Sequence, residues 1–216
     1  MNVSSLVVGP FEENCWILHD TVKAEAVLVD PGDDATRICT AIERLGARLV
    51  AVWLTHAHLD HIGAISGVRR AWPGVPVFLH PADLPVYAAG EQSARYYGLP
   101  FEQPAPPERE LAEGDRLVFG GEEFHVWHLP GHAPGHVAFV GPTHVFSGDL
   151  LFAGSIGRTD LPGSDPEQMT ASLGRMATLD RSIVVHPGHG PMTNIETELR
   201  DNPFLNGAAR VLRRRD

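Results

Sequence analysis

Apolar and polar positions follow two rhythms along this chain. Residues 5–8, 15–18 and 26–29 are short apolar runs. Gly9-Pro10 with a polar stretch separates the first two, and Asp30-Pro31-Gly32 closes the third. Short apolar runs between turn residues predict a β-meander. Residues 34–45 change period: Ile38, Ala41, Ile42 and Leu45 share one helical face, and Gly46 follows as a C-terminal cap. A strand over 49–54, an amphipathic helix over 62–72 and a strand over 76–79 come next. From Ala82 to Pro107 the rhythm fades. Gly90, Gly98 and the prolines from Pro100 to Pro107 predict a surface excursion. Long irregular connections either carry substrate contacts or pack on their own aromatics.

The second half repeats the strand-rich style. Runs 116–119 and 124–127 flank Gly120-Gly121, a hairpin signal. Strands over 137–140 and 144–146, a helix over 166–179, a strand over 182–185 and closing helices over 196–200 and 203–214 complete the pattern. Two strand-rich halves with helices predict an α/β fold of two sheets packed together with helices outside. No linker or low-complexity composition interrupts the chain, so residues 1–216 are expected to form one domain.

The chemistry concentrates where the strand over 49–54 meets the next helix, in Thr55-His56-Ala57-His58-Leu59-Asp60-His61. Side chains two apart in extended chain point the same way, so His56 and His58 can share one metal. Asp60 and His61 fall where the chain turns and can serve a second. Singly, Asp60 reads as a helix N-cap and each histidine as a hydrogen-bonded buried group. Together they favour a cation, because burying four such groups in one turn otherwise strands polar atoms. Three later strands also end in metal-capable residues. They lead to His132 and His136 in Pro-Gly-His-Ala-Pro-Gly-His, to Asp149 in Ser-Gly-Asp, and to His189 in His-Pro-Gly-His-Gly. Neighbouring glycines let the backbone approach a crowded centre.

Composition adds limits. The chain carries 17 Lys and Arg against 27 Asp and Glu, a formal charge of -10, which argues against a general nucleic-acid binder. Arg210 and Arg213 to Arg215 read as a solvated helix end. Cys15 and Cys39 have neither disulfide-framework nor metal-site spacing and read as small hydrophobes. No signal-peptide pattern and no membrane-length apolar run occurs, so a cytoplasmic location is the default. Twelve histidines are many for this length.

The ordered set His56-Ala57-His58-Leu59-Asp60-His61, His132, Asp149 and His189 resembles the ligands of the metallo-β-lactamase superfamily. Residues 148–152 and 155–160 resemble its glyoxalase II-like hydrolases, particularly the short bacterial type. The resemblance implies an αββα sandwich. It implies a first metal on His56, His58 and His132, a second on Asp60, His61 and His189, and Asp149 bridging both. Two divalent ions are implied, with zinc favoured and iron or manganese allowed. His136, Arg158 and Asp160 are expected to support the ligands from behind. His19, His80, His125, His128, His144 and His186 match no ligand position. Ala133 stands where relatives often carry threonine. The chain also has little room for the C-terminal helices that bind glutathione in longer members. The implied reaction is hydrolysis of a small-molecule acyl thioester such as S-lactoylglutathione by a metal-bridging hydroxide, oriented by Asp60 and Asp149. A thiolate of pKa about 8.5 leaves without a separate general acid. The main alternative is a mononuclear-iron persulfide dioxygenase, with a lactonase or β-lactamase-like hydrolase behind it. A nuclease is disfavoured by charge. Oxygen-reducing diiron relatives are disfavoured because they usually have Glu where His58 stands.

Overall fold

The computed structural model describes residues 1–211. Two compact units are present, one of residues 1–111 with 118–122 and one of 112–117 with the chain from 123 onward. The first unit holds a six-stranded sheet in chain order. Its strands are β1 (Asn2–Val8), β2 (Glu13–Asp20), β3 (Glu25–Val29), β4 (Arg48–Trp53), β5 (Val77–Leu79) and β6 (Arg109–Glu110). β1, β2 and β3 are antiparallel neighbours, whereas β3 through β6 pair in parallel. Parallel pairing aligns the carboxyl ends of β3, β4 and β5 on one edge. That edge is where Asp30, residues 55–61 and Asp83 follow, the usual place for a site in an α/β sheet.

Helices α1 (Ala35–Arg44), α2 (Leu59–Ile62), α3 (Ile65–Ala71), α4 (Leu84–Ala88) and α5 (Gly90–Tyr97) complete this unit. Its core joins Ile17, Leu28 and Val52 of the sheet to Ile38 and Ile42 of α1 and Ile65 of α3. The predicted helix over 62–72 is two pieces, with α2 ending at Ile62 and α3 starting at Ile65. The predicted excursion is also helical. α4 and α5 are only five and eight residues long, too short for a 3.6-residue period to stand out.

In the second part of the chain come β7 (Arg116–Phe119), β8 (Glu122–His128), β9 (Val137–Val140), β10 (His144–Gly148), β11 (Leu151–Phe152), β12 (Ser155–Ile156), α6 (Pro166–Met176), β13 (Val184–Pro187), β14 (Thr193–Asn194) and α7 (Ile195–Asp201). The second sheet runs β14-β13-β10-β9-β8-β7, and β11 and β12 form a separate hairpin. β10 and β13 are parallel, so Asp149 and His189 leave the same edge. A register shift between Phe146 and Gly148 falls just before Asp149. Met169, Leu173 and Met176 of α6 pack on Val145, Leu151 and Val185. α6 starts at Asp165, whose carboxylate accepts from the amides of Glu167 and Gln168, with Pro166 at its first position.

Two mixed sheets with helices match the expected α/β class. The predicted helix over 203–214 does not form within the described part. α7 stops before Asn202-Pro203, since proline disfavours helical geometry in the residue before it, and 203–207 are turns. Residues 212–214 of that prediction, with Arg213 to Arg215, lie outside the described residues. Cys15 is buried and Cys39 half-buried, both as free thiols. Burial, then the nearby Glu13 and Asp30 carboxylates, push the Cys15 thiol well above its ordinary range. Among the described residues no helix is long and apolar enough to cross a membrane.

His186 lies inside β13, with its Nε2 2.9 Å from Nδ1 of His144 on β10 and its ring stacked on Phe146. Burial, then the His144 neighbour, depress its pKa to about 3. Its unfolded value is near 6.5, so the stability it contributes is present above pH 6.5 and lost as pH falls toward 3. The loss is on the order of a few kcal/mol. Denaturant unfolding of metal-free protein between pH 6.5 and 5 should therefore lose stability faster than the His186→Gln variant does. Equal slopes would contradict the assignment.

Candidate metal centre

At the carboxyl end of β4, Thr55 anchors the histidine motif. Its amide donates to Asp30 Oδ1 at 2.7 Å and its hydroxyl to Asp30 Oδ2 at 2.6 Å. With its one proton committed, the Thr55 oxygen accepts from Nδ1 of His56 at 3.1 Å. This fixes the tautomer of His56 and leaves a lone pair on Nε2. Asp30 Oδ2 also stands 3.1 Å from His61 Nδ1, and Glu13 Oε1 lies 4.0 Å from the same atom. His61 is thereby turned so that its Nε2 lies 3.8 Å from Asp60 Oδ2. The His58 ring meets His56 edge-on at 4.8 Å. Ligand-capable atoms of Asp30, His56 and His61 all lie within 4.8 Å of one another.

Asp30 was legible only as a turn residue, yet it orients two histidines and sits at a φ of 53°. The available signal was positional: β3 runs parallel to β4, so the residue after β3 falls beside the motif after β4. Asp83, after β5, was missed in the same way; buried, it accepts from the Ala57 amide at 2.8 Å. Gly32 is required as glycine, because a Cβ there would strike the Asp60 carbonyl oxygen.

The second unit has its own group. His132 Nδ1 donates to the Arg158 carbonyl at 2.8 Å, which leaves Nε2 as the available donor atom. That Nε2 lies 3.4 Å from Asp149 Oδ2, and His189 Nε2 lies 3.6 Å from the same oxygen. Two ligand atoms on one tetrahedral zinc, with bonds of about 2.0–2.1 Å, stand about 3.3–3.4 Å apart. The spacing therefore fits ligands of a common ion. His136 is fully buried and accepts through Nε2 from the Asp149 amide at 3.1 Å, holding the backbone of that carboxylate. Gly157 packs so closely that a Cβ would strike the Asp149 carbonyl.

The Arg158 and Asp160 side chains form an exposed two-pronged pair with each other, at 2.6 and 2.8 Å. Arg158 supports His132 through its carbonyl, a role any residue type supplies. The other histidines stand apart from these groups: His144 pairs with His186, His128 Nε2 is 2.9 Å from the Pro134 carbonyl, and His125 sits by Glu123.

Nitrogen donors with Nδ1 already engaged, beside carboxylates, form a donor set suited to divalent zinc, iron or manganese. Such a site on this fold defines a class, and the chain belongs to the metallo-β-lactamase superfamily: the family model matches residues 8–189. Among individual proteins, it is 37% identical to hydroxyacylglutathione hydrolase GloC of Haemophilus influenzae, over 95% of this chain and 99% of that one. It is 47% identical to TTHA1623, solved in a di-iron-bound form, with a TM-score of 0.87 over 94% of this chain and all of the other. ETHE1 from Myxococcus xanthus shares 26% identity and a TM-score of 0.79, covering 96% and 85%.

Asp30→Asn should weaken divalent-metal binding by about 10- to 100-fold, since an outer partner of two ligands loses its charge. Arg158→Ala, which keeps the carbonyl, should change it less than about threefold. Competition with a chromophoric chelator measures both, and the reverse ranking would contradict the roles assigned.

Proposed function

We propose that the chain is a dinuclear-metal hydrolase of acyl thioesters, of the S-2-hydroxyacylglutathione type, working as one domain on a small-molecule substrate in the cytoplasm. Neither nucleic acid nor membrane is a partner in this reading. His56, His58 and His132 would hold one ion and Asp60, His61 and His189 the other, with Asp149 serving both. The observation that carries the reading is Asp149 Oδ2, which lies between Nε2 of His132 and Nε2 of His189. A carboxylate so placed suits a shared ligand. The similarity to a hydroxyacylglutathione hydrolase and to a protein crystallised with two irons supports it.

Bound divalent ions supply Lewis acidity and lower the pKa of water from about 15.7 toward 7. The protein's own groups do the rest. Asp60 and Asp149 are hydrogen-bond acceptors at the reaction centre and hold the attacking water's proton in line. They also offset the dication charge. His136 keeps Asp149 in place through its amide, and Asp30, through the Thr55 hydroxyl, keeps Nε2 of His56 open to a metal. Water replaces the thiol on the acyl carbon, giving a carboxylic acid and R–SH. The leaving thiol has a pKa of about 8.5, so it departs without a dedicated acid.

A single-iron dioxygenase would need two histidines and one aspartate, and would leave Asp60, His61 and His189 idle. The presence of those residues in the chain order of a second ligand set supports two ions. Purified protein should carry two metals per chain and release thiol from S-lactoylglutathione. Asp60→Ala should retain about one metal and lose at least about 100-fold in kcat/KM, on the scale of groups acting directly at a reaction centre. One iron per chain, no thiol release, and oxygen uptake with glutathione persulfide would overturn the proposal.

A further inference from the structure

A pocket of about 30 Å³ opens in the first unit, and Asp60 is part of its wall. Four separate segments build it: the β1–β2 turn with Val8 and Phe11, the turn after β3 with Asp33, the start of α2 with Asp60, and the strap after α5 with Leu99, Pro100 and Phe101. That volume holds roughly two water-sized groups. Its walls are fixed. Tyr97 meets the Phe11 ring edge-on at 5.2 Å. The strap is pinned by Tyr87, whose hydroxyl donates to the Ala105 carbonyl at 2.9 Å, and by Gln103, whose amide donates to the Tyr87 carbonyl at 2.9 Å.

Charge in the pocket has one sign. Its titratable walls are Asp33 and Asp60, and no Lys or Arg lines it. The arginines of the surrounding elements are tied to carboxylates instead: Arg69 to Glu108, Arg70 to Glu102 and Arg95 to Glu91. With Asp60 assigned to a metal, Asp33 is the carboxylate left in the wall, and a negatively charged group would meet it with no lining Lys or Arg beside it. Walls of mixed polar and apolar character with so little room fit a short chain that carries at most a small polar group such as a hydroxyl.

We propose that this pocket seats the acyl side chain of the substrate and restricts it to a short, uncharged chain. The inference rests on the thioester reading above and adds the acyl class to it. Placement beside Asp60, assigned there to a metal, puts the acyl side chain next to the reacting carbonyl and leaves the thiol carrier outside the pocket. The segment with the weakest sequence pattern, 82–107, then supplies one wall of the specificity pocket.

The test keeps the carrier constant and varies the acyl group. Metal-loaded protein is assayed for thiol release from S-acetyl-, S-lactoyl-, S-mandeloyl- and S-succinylglutathione, alongside Phe11→Ala and Leu99→Ala. Wild-type kcat/KM should favour acetyl and lactoyl over mandeloyl and succinyl by at least about tenfold, as pocket size and unpaired charge typically discriminate. Each variant enlarges the pocket and should shrink the gap for mandeloyl to about threefold or less. Succinyl should stay rejected, because Asp33 remains. A merely structural role would lower all four substrates together and leave the ratios unchanged. Unchanged ratios in both variants, or equal wild-type use of mandeloyl, would overturn the pocket assignment while leaving the hydrolase reading intact. No thiol release from any substrate would overturn both.

Discussion

The constraint on which the site depends is the state of the imidazole Nδ1 atoms. A neutral histidine can offer a lone pair to a metal only from the nitrogen that lacks the proton. His56 is held by the Thr55 hydroxyl, His61 by Asp30 and His132 by the Arg158 carbonyl. The Thr55 and Arg158 oxygens accept, so the His56 and His132 rings are committed to present Nε2. One buried carboxylate, Asp30, sets the first through Thr55 and stands 3.1 Å from Nδ1 of His61. The backbone follows from this need. Asp30 takes a left-handed conformation, Gly32 admits the Asp60 carbonyl, and Gly157 admits that of Asp149. Local strain of this sort persists where surrounding structure over-determines it.

Sheet topology does the coarse placement. Parallel neighbours β3, β4 and β5 bring Asp30, the histidine motif and Asp83 to one edge of the first sheet. Parallel β10 and β13 do the same for Asp149 and His189 in the second, where the Gly188 amide also donates to the Gly148 carbonyl at 2.9 Å. Rigid strand ends can hold a donor within the few tenths of an ångström that coordination requires.

Much of this was legible beforehand. The proposed ligands follow strands that apolar runs mark, with Asp60 and His61 in the short helix after β4, and both sheets follow from short runs between turn signals. What stayed hidden has a common cause: it depends on which strands pair. Asp30 looked like a turn residue and Asp83 fell in the excursion without a role, because their hydrogen-bond partners, Thr55 and Ala57, are 25 and 26 residues away in sequence. Arg158 looked like a charged support because sequence shows side chains, whereas its contact with His132 uses the carbonyl. α4 and α5 were lost to brevity. The helix expected over 203–214 had an apolar pattern, but Pro203 and the turn at Gly207 override it over the described part.

The central claim is that two ions share Asp149 and are held through Nε2 of the histidines. Anomalous X-ray diffraction from crystals of the metal-loaded protein tests it most directly. The account predicts two peaks about 3.5–4 Å apart, with Asp149 contacting both and His56, His61 and His132 ligating through Nε2. A single peak, or ligation through Nδ1 with Asp30 and the Arg158 carbonyl displaced, would contradict it.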